Sequence, residues 1–408
     1  MNRIEKLIAD LCPDGVEWKK LGEIGFLYNG LTGKNKNDFT NGNAKYVTYM
    51  NVYSNIEIDT NIENYVKINE NEQQNRIEYG DVLFTGSSET PDECGISSVL
   101  TKHIDEPLYL NSFCFGFRLF DKSIFLPGFL KYLFRSEELR KQIGKTANGV
   151  TRFNVSKKLF AQIPIPLPPL PIQEEIVKIL DTFTELKAEL EAELEARRKQ
   201  YEYYRNTLLT PVEHNGRWYL NGVEVEWKKL GEVCVSIIAG GDLPKNYIKS
   251  QKYPTEEYPY PIYSNGVGVN ALYGFSDSYI IDLEAVTISA RGTIGYHTIR
   301  QPKFTPIVRL ITLIPKKQII TTKFLNYILD ITEIGHSGGS IPQLTVPDVK
   351  KIPIPIPPLS EQERIVAILD KFDALVNDIS QGLPAELEAR RKQYEYYRNR
   401  LLTFEPKQ

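Results

Sequence analysis

Cysteine is scarce in this chain: Cys12, Cys94, Cys114 and Cys234 stand far apart among 408 residues, and no C-x-x-C pair occurs. That excludes a disulfide-built scaffold, gives no support to a structural zinc site, and fits the reduced thiols of a cytoplasmic protein. The histidines (His103, His214, His297 and His336) are isolated, and there is no H-E-x-x-H. No run of about 18 apolar residues occurs, so no transmembrane helix is expected. The opening MNRIEKLIADL is amphipathic and charged throughout, unlike a signal peptide. Catalytic signatures are missing too. Residues 30–35, GLTGKN, are too short for a phosphate loop and lack the hydroxyl after lysine. There is no G-x-S-x-G elbow. The Asp/Asn-Pro-Pro-aromatic signature of adenine methyltransferases is not met, because both Pro-Pro pairs lie between aliphatic residues. An enzyme is therefore not expected. The net charge of −3 removes overall basicity as an argument for nucleic acid, but the field that matters is that of the binding face.

What the chain does have is a repeat. Residues 192–206 read AELEARRKQYEYYRN, and residues 385–399 read the same fifteen letters. Each copy follows a proline tract, IPIPLPPL at 163–170 and IPIPIPPL at 352–359. The halves also open alike, VEWKKLGEI at 16–24 and VEWKKLGEV at 225–233. Self-similarity at a period of about 200 residues makes this a tandem duplication.

Behind each proline tract the apolar residues step with helical spacing. The first seam runs through Ile172, Ile176, Ile179, Phe183, Leu186, Leu190, Leu194, Tyr201, Tyr204 and Leu208, and the second through Ile365 to Leu401. Alternating steps of three and four are those of a coiled coil, with a stutter at Leu190–Leu194. Gly382 and Pro384 predict a kink or short break in the second helix. The prolines before each helix predict a stiff, polyproline-like lead-in. The remaining segments read as strands with polar turns and a short helix, around Phe129–Leu133 and Phe324–Ile328. The fold class is α/β (α+β): two homologous strand-rich domains separated by two long antiparallel coiled-coil helices with pseudo-twofold symmetry. The expected boundaries are 1–165 for the first domain, 166–212 for the first helical spacer, 213–354 for the second domain and 355–408 for the second spacer.

The paired variable halves, the proline tracts running into Gln173-Glu174-Glu175 and Glu361-Gln362-Glu363, and the RRKQYEYYRN helix ends together resemble the specificity subunit of type I restriction–modification systems. The resemblance covers nearly the whole chain. It implies two target recognition domains, each reading half of a bipartite double-stranded DNA sequence, and no cofactor in this chain. It also implies partners: two adenine methyltransferase subunits using S-adenosylmethionine, and motor-nuclease subunits using ATP and Mg. A coiled-coil scaffold that joins protein partners without touching DNA is the alternative.

The DNA-contact candidates are read from the residues alone. Lys34, Asn35, Lys36 and Asn37 form a basic, amide-rich loop suited to phosphates and adenine edges. Ser87, Ser88 and Thr90 follow a strand at the place that Arg291 and Thr293 occupy in the second half, and Arg291 suits guanine. Lys145, Thr146, Arg152, Asn154 and Lys157 make the densest basic cluster of the first half. Its sparser counterpart holds His336, Ser340, Gln343 and Lys350. Lys245 and Asn265 are further loop candidates. On the helices Tyr203, Arg205, Tyr396 and Arg398 are candidate partner contacts, whereas Tyr201, Tyr204, Tyr394 and Tyr397 lie on the seam and are expected to pack.

Overall fold

The computed structural model describes residues 3–334, 343–378 and 381–407. The chain divides into two compact units, Met1–Glu191 with Leu387–Gln408, and Ala192–Glu386. Each unit holds one strand-rich head together with parts of both repeated helical segments.

The repeated VEWKKLGE motif and the proline tract explain each other. In the first unit Glu17–Lys20 and Pro164–Leu167 pair antiparallel, with Trp18 opposite Pro166 and Lys19 opposite Ile165. In the second, Trp227 stands opposite Pro355 and Lys228 opposite Ile354. The tract is thus a strand and not a free polyproline lead-in. Proline lacks an N–H, but successive residues of a strand present their N–H to opposite sides. Alternating prolines therefore spoil only one edge, and the intervening residues pair on the other. A one-turn helix follows the first strand (Leu21–Ile24, Leu230–Val233). Its leading leucine is fully buried in both units. Glu23 and Glu232 reach back to accept from the Lys20 and Lys229 amides at 3.1 and 2.8 Å.

The heads share one topology. A four-stranded antiparallel sheet runs Gly25–Asn29, Cys114–Leu119, Val82–Thr85, Ser97–Val99 in the first unit. Its counterpart runs Cys234–Ala239, Leu310–Pro315, Ala285–Ser289, His297–Arg300. A second sheet in each head contains one parallel pair, Ala44–Val47 with Leu108–Leu110 and Tyr260–Tyr263 with Thr305–Pro306. The first core is aromatic, Phe84, Phe115, Phe117, Phe134 and Phe160. The same places in the second hold Ile288, Ile311, Leu313, Leu329 and Val349.

The first repeated helix spans Leu170–Leu209 without interruption. The second is broken, Leu359–Asn377 and then Leu383–Leu401, with Gly382 and Pro384 at the restart. Proline is tolerated there because the N–H groups of a first turn have no helical acceptor anyway. Within each unit the two helical segments run antiparallel. In the first, Phe183 stacks on Tyr397 at 5.4 Å while Glu175 and Arg400 both pair with the first helix of the chain, through Arg3 and Glu5. In the second, Tyr204 stacks on Phe372 at 5.2 Å, and Asn221 links the Leu208 carbonyl to Glu361. The seam is not buried evenly. Near the first head the fully buried line is Ile172, Ile176 and Leu180, because the helix start packs on the head, whereas Leu186 is exposed.

One residue of each proline–helix junction holds three segments together. Gln173 and Gln362 are fully buried. Gln173 donates to the Ile124 and Pro168 carbonyls at 2.9 and 2.8 Å and accepts from the Leu126 amide at 2.9 Å. Gln362 donates to the Ile319 and Pro357 carbonyls at 2.8 and 2.9 Å and accepts from the Thr321 amide at 2.9 Å. The head, the proline strand and the helix are tied by the same side chain in both units.

Candidate nucleic-acid interface

In the first head three short strands form a ribbon beyond the main sheet: Ala147–Asn148, Phe153–Val155 and Ser87–Ser88. Asn154 stands opposite both Ser87 and Asn148. The sequence candidates Ser87, Ser88, Arg152 and Asn154 thus come together, although they lie in separate segments. Arg152 is exposed as a residue, yet its guanidinium is fixed. Nε and Nη2 donate to Ser87 Oγ at 3.2 and 3.0 Å, and Cζ lies 5.6 Å from the Phe113 ring centre. Ser88 donates to Glu93 at 2.9 Å, and the Tyr53 hydroxyl donates to the same carboxylate at 3.1 Å. These hydrogen bonds, Ser88's first and Tyr53's next, hold the Glu93 carboxyl below its ordinary range, so it is a carboxylate at neutral pH. Tyr49, Met50, Tyr53, Phe113, Glu93 and Arg152 are among the residues lining a cleft of about 510 Å³ beside the ribbon.

Other first-half candidates lie apart or are turned inward. Lys34 is nearly buried, its ammonium 2.5 Å from both Glu72 and the Lys67 carbonyl. The hydrogen bond from Lys34, with those from Gln74 and the Asn69 amide, pulls the Glu72 carboxyl down to about 2. Lys34 therefore meets a carboxylate of its own head where a phosphate contact was expected. Asn35 caps a short 3₁₀ turn by accepting from the Asn37 amide, while Lys36 and Asn37 stay exposed. Thr146 is buried, its hydroxyl donating to the Ile143 carbonyl at 2.7 Å. Lys145 and Thr90 are exposed. Lys157 donates to Asn29 and lies 5.4 Å from the Phe115 ring centre.

The second head repeats the attachment with different residues. The Leu344 amide donates to the Ala290 carbonyl at 2.9 Å, as the Val155 amide does to the Gly86 carbonyl at 3.0 Å. This puts Arg291 at the place of Ser87 and Gln343 at that of Asn154. Asn265 organises the loop: its amide donates to the Arg291 carbonyl at 2.6 Å, and its carbonyl accepts from Ser289 and Thr293 at 3.1 and 2.6 Å. The Arg291 guanidinium has no partner among the described residues. Lys245 and Lys350 are exposed, the latter on the short helix Val346–Lys351. His336 and Ser340 lie outside the described residues.

Sequence reading missed the aromatic members. Tyr49 and Tyr53 stack at 6.1 Å on one short helix, and their spacing of four was the available signal. Arg300, 3.8 Å from the Tyr263 ring centre, was missed as well. On the repeated helices Tyr203 and Tyr396 are 66% and 58% exposed, while Tyr201 is buried. Arg205 and Arg398 fold back over Tyr201 and Tyr394, at 5.8 and 5.5 Å.

The family model for the type I restriction modification DNA specificity domain matches this chain twice, over residues 13–197 and 222–389. The chain belongs to this family. It is a type I specificity subunit with two recognition domains, and its role is the recognition of DNA sequence. A putative type I specificity subunit of Mycoplasma pneumoniae is 34% identical over 340 residues, 80% of this chain and 90% of that protein. The EcoR124I/EcoR124II specificity subunit of Escherichia coli is 37% identical over 286 residues, 62% of this chain and 64% of its own length. The fold of this specificity subunit is also that of the S subunit from M. genitalium, with a TM-score of 0.55 at 17% identity, covering 95% of this chain and 96% of that one. Among the described residues no group of acidic, histidine and cysteine side chains is placed to hold a metal ion, and no helix is long and apolar enough to cross a membrane.

Proposed function

We propose that this subunit reads an asymmetric bipartite sequence in double-stranded DNA, one half-site per head, and is itself non-catalytic. The observation that carries this reading is the shared attachment of unlike residues. One backbone plan presents Ser87, Arg152 and Asn154 in the first head and Arg291 and Gln343 in the second. Unlike heads give an asymmetric target, where identical ones would give a palindrome. The recognition domains are 1–165 and 213–354, and the segments 166–212 and 355–408 act as the spacer. Lys36, Lys145 and Lys350 suit phosphates, and Arg152, Asn154, Arg291 and Gln343 suit base edges. The exposed Tyr203 and Tyr396 contact two adenine methyltransferase subunits, which bring S-adenosylmethionine. Motor-nuclease subunits bring ATP and Mg, and the complex works in the cytoplasm.

The test is a map of N6-methyladenine in cells with and without this gene. Loss of one motif, two short blocks around a fixed spacer, is the expected result. An unchanged map, with no adenine methyltransferase captured by the chain, would favour a protein scaffold. Deleting residues 192–195, one AELE tetrad, shortens the helix by about 6 Å, close to the rise of two base pairs. The spacer is expected to change with both blocks kept, and an unchanged spacer rejects the ruler.

A further inference from the structure

The cleft beside the first head's ribbon contains two opposite charges that hold still. Arg152 is clamped through one side of its guanidinium, because Nε and Nη2 share Ser87 Oγ as acceptor. That leaves the Nη1–Nη2 end as a pair of parallel donors, the geometry that matches two adjacent acceptors. Phe113 lies against the guanidinium at 5.6 Å and limits its swing. Glu93, on the same cleft, is fixed by Ser88 and Tyr53 at 2.9 and 3.1 Å. Thr90 adds a third hydrogen bond to this carboxylate, which leaves it one lone pair to offer.

A phosphate would be a poor occupant, since the Glu93 carboxylate and the exposed Glu89 line the same cleft and repel it. A base pair that shows two adjacent acceptors and one amino donor fits both charges. In the major groove that pattern belongs to G·C: guanine presents O6 and N7, and cytosine its N4 amino group. We propose that this cleft reads one G·C pair of the target, Arg152 donating to the guanine and Glu93 accepting from the cytosine. This rests on the DNA-reading function proposed above and assigns residues and a base pair to it. Ser87 is a positioning residue, which orients Arg152 without touching the base. The second head works differently at this place: Arg291 occupies the Ser87 position itself, so an arginine there rises from the opposite strand of the attachment.

The experiment is N6-methyladenine mapping in cells that express the full chain, or its Arg152→Gln, Arg152→Lys and Glu93→Ala variants, with the resident partner subunits. The wild-type motif is expected to contain a G·C pair. In Arg152→Gln the preference for that pair over the others falls roughly tenfold or more, with the remaining positions, the second block and the spacer unchanged. Glu93→Ala relaxes the same position by a smaller factor. Arg152→Lys, which keeps the charge and loses the fork, relaxes it as Gln does.

Several results would overturn the assignment. They are a wild-type motif without G·C, an unchanged motif in Arg152→Gln, Lys restoring full preference, or Glu93→Ala acting at another pair. Methylation weakened equally at every sequence, or abolished by both Arg152 variants, also rejects it, since a one-pair reader leaves the other contacts standing. If the wild-type chain directs no methylation motif at all, the DNA-reading function fails with it. A wild-type bipartite motif without the predicted response leaves that function intact and removes only this assignment.

Discussion

The two heads differ even where a protein is commonly thought to be least free, at several core positions, and least at a few polar atoms. Phe84, Phe115, Phe117, Phe134 and Phe160 of one head give way to Ile288, Ile311, Leu313, Leu329 and Val349 in the other. Apolar packing is non-directional, so a changed volume is accommodated by repacking neighbours. A buried amide has no such freedom, because each of its partners is a backbone group that water cannot reach. Gln173 and Gln362 therefore make the same bonds in both units. Glu23 and Glu232, and the alternating prolines, follow the same logic. The plan is held by groups that satisfy backbone atoms, and the surfaces and cores built on it are free to diverge.

The harshest way to break this equivalence is to remove the amide. Gln173→Ala strands the Leu126 amide and the Ile124 and Pro168 carbonyls in a buried place, at a cost of about 3–5 kcal/mol. Hydrogen exchange should show the Leu126 amide opening while Thr321 stays protected. Gln362→Ala should give the mirror image. Opening of both amides in either variant would mean that the units do not hold themselves together independently.

A smaller effect should separate the units instead of equating them. Each has a tyrosine donating to a helix aspartate, Tyr132 to Asp181 at 2.5 Å and Tyr327 to Asp370 at 2.7 Å. Lysine supports both carboxylates, but from different positions. The Lys131 side chain is 11% exposed and pairs with Asp181 and Glu57, whereas that of Lys323 is 54% exposed. The second head has Asn326 where the first has Lys131. Lys131→Asn should cost about 2 kcal/mol, because it removes a desolvated cation from two carboxylates. Lys323→Ala should cost about 0.5 kcal/mol, in line with exposed pairs. Denaturant unfolding of the full chain checks the difference, and equal costs would show that burial is not what distinguishes the lysines.

Legibility followed the same division. The duplication, the long helices, the short helices around Phe129–Leu133 and Phe324–Ile328 and the break at Gly382 could be read from pattern because each rests on local chemistry. The proline strand could not, since its pairing depends on a partner at the far end of the head. Lys34 looked like a phosphate ligand until the fold brought Glu72 beside it. Arg152 was legible as a cation but not as a fixed one, because Ser87 and Phe113 come from other segments. Charge is written in the sequence, whereas the partner that fixes or cancels a charge is supplied by topology.

The finest distinction between the units is a pH response. At matching places beside the central strand, the first unit has Arg135 donating to the Ser97 carbonyl at 2.7 Å, and the second has His297 paired with Asp330 at 3.2 Å. Burial pulls the His297 pKa down, but the hydrogen bond to Asp330, the contact with the Gly295 carbonyl and the Asp330 charge outweigh it, and the net shift is upward from 6.5. A group whose pKa is raised on folding contributes stability that is fully present below its unfolded value and is lost as pH rises through the folded one. The second unit should therefore loosen as pH climbs from about 6.5 past the raised value, while Arg135 keeps its charge across that range. Hydrogen exchange followed from pH 6 to pH 8, corrected for the intrinsic rate, should show falling protection at Ile288 and none of this trend at Phe84. His297→Gln should flatten the trend at Ile288. If the trend survives the substitution, another group carries it and the pair at 297 and 330 is structural only.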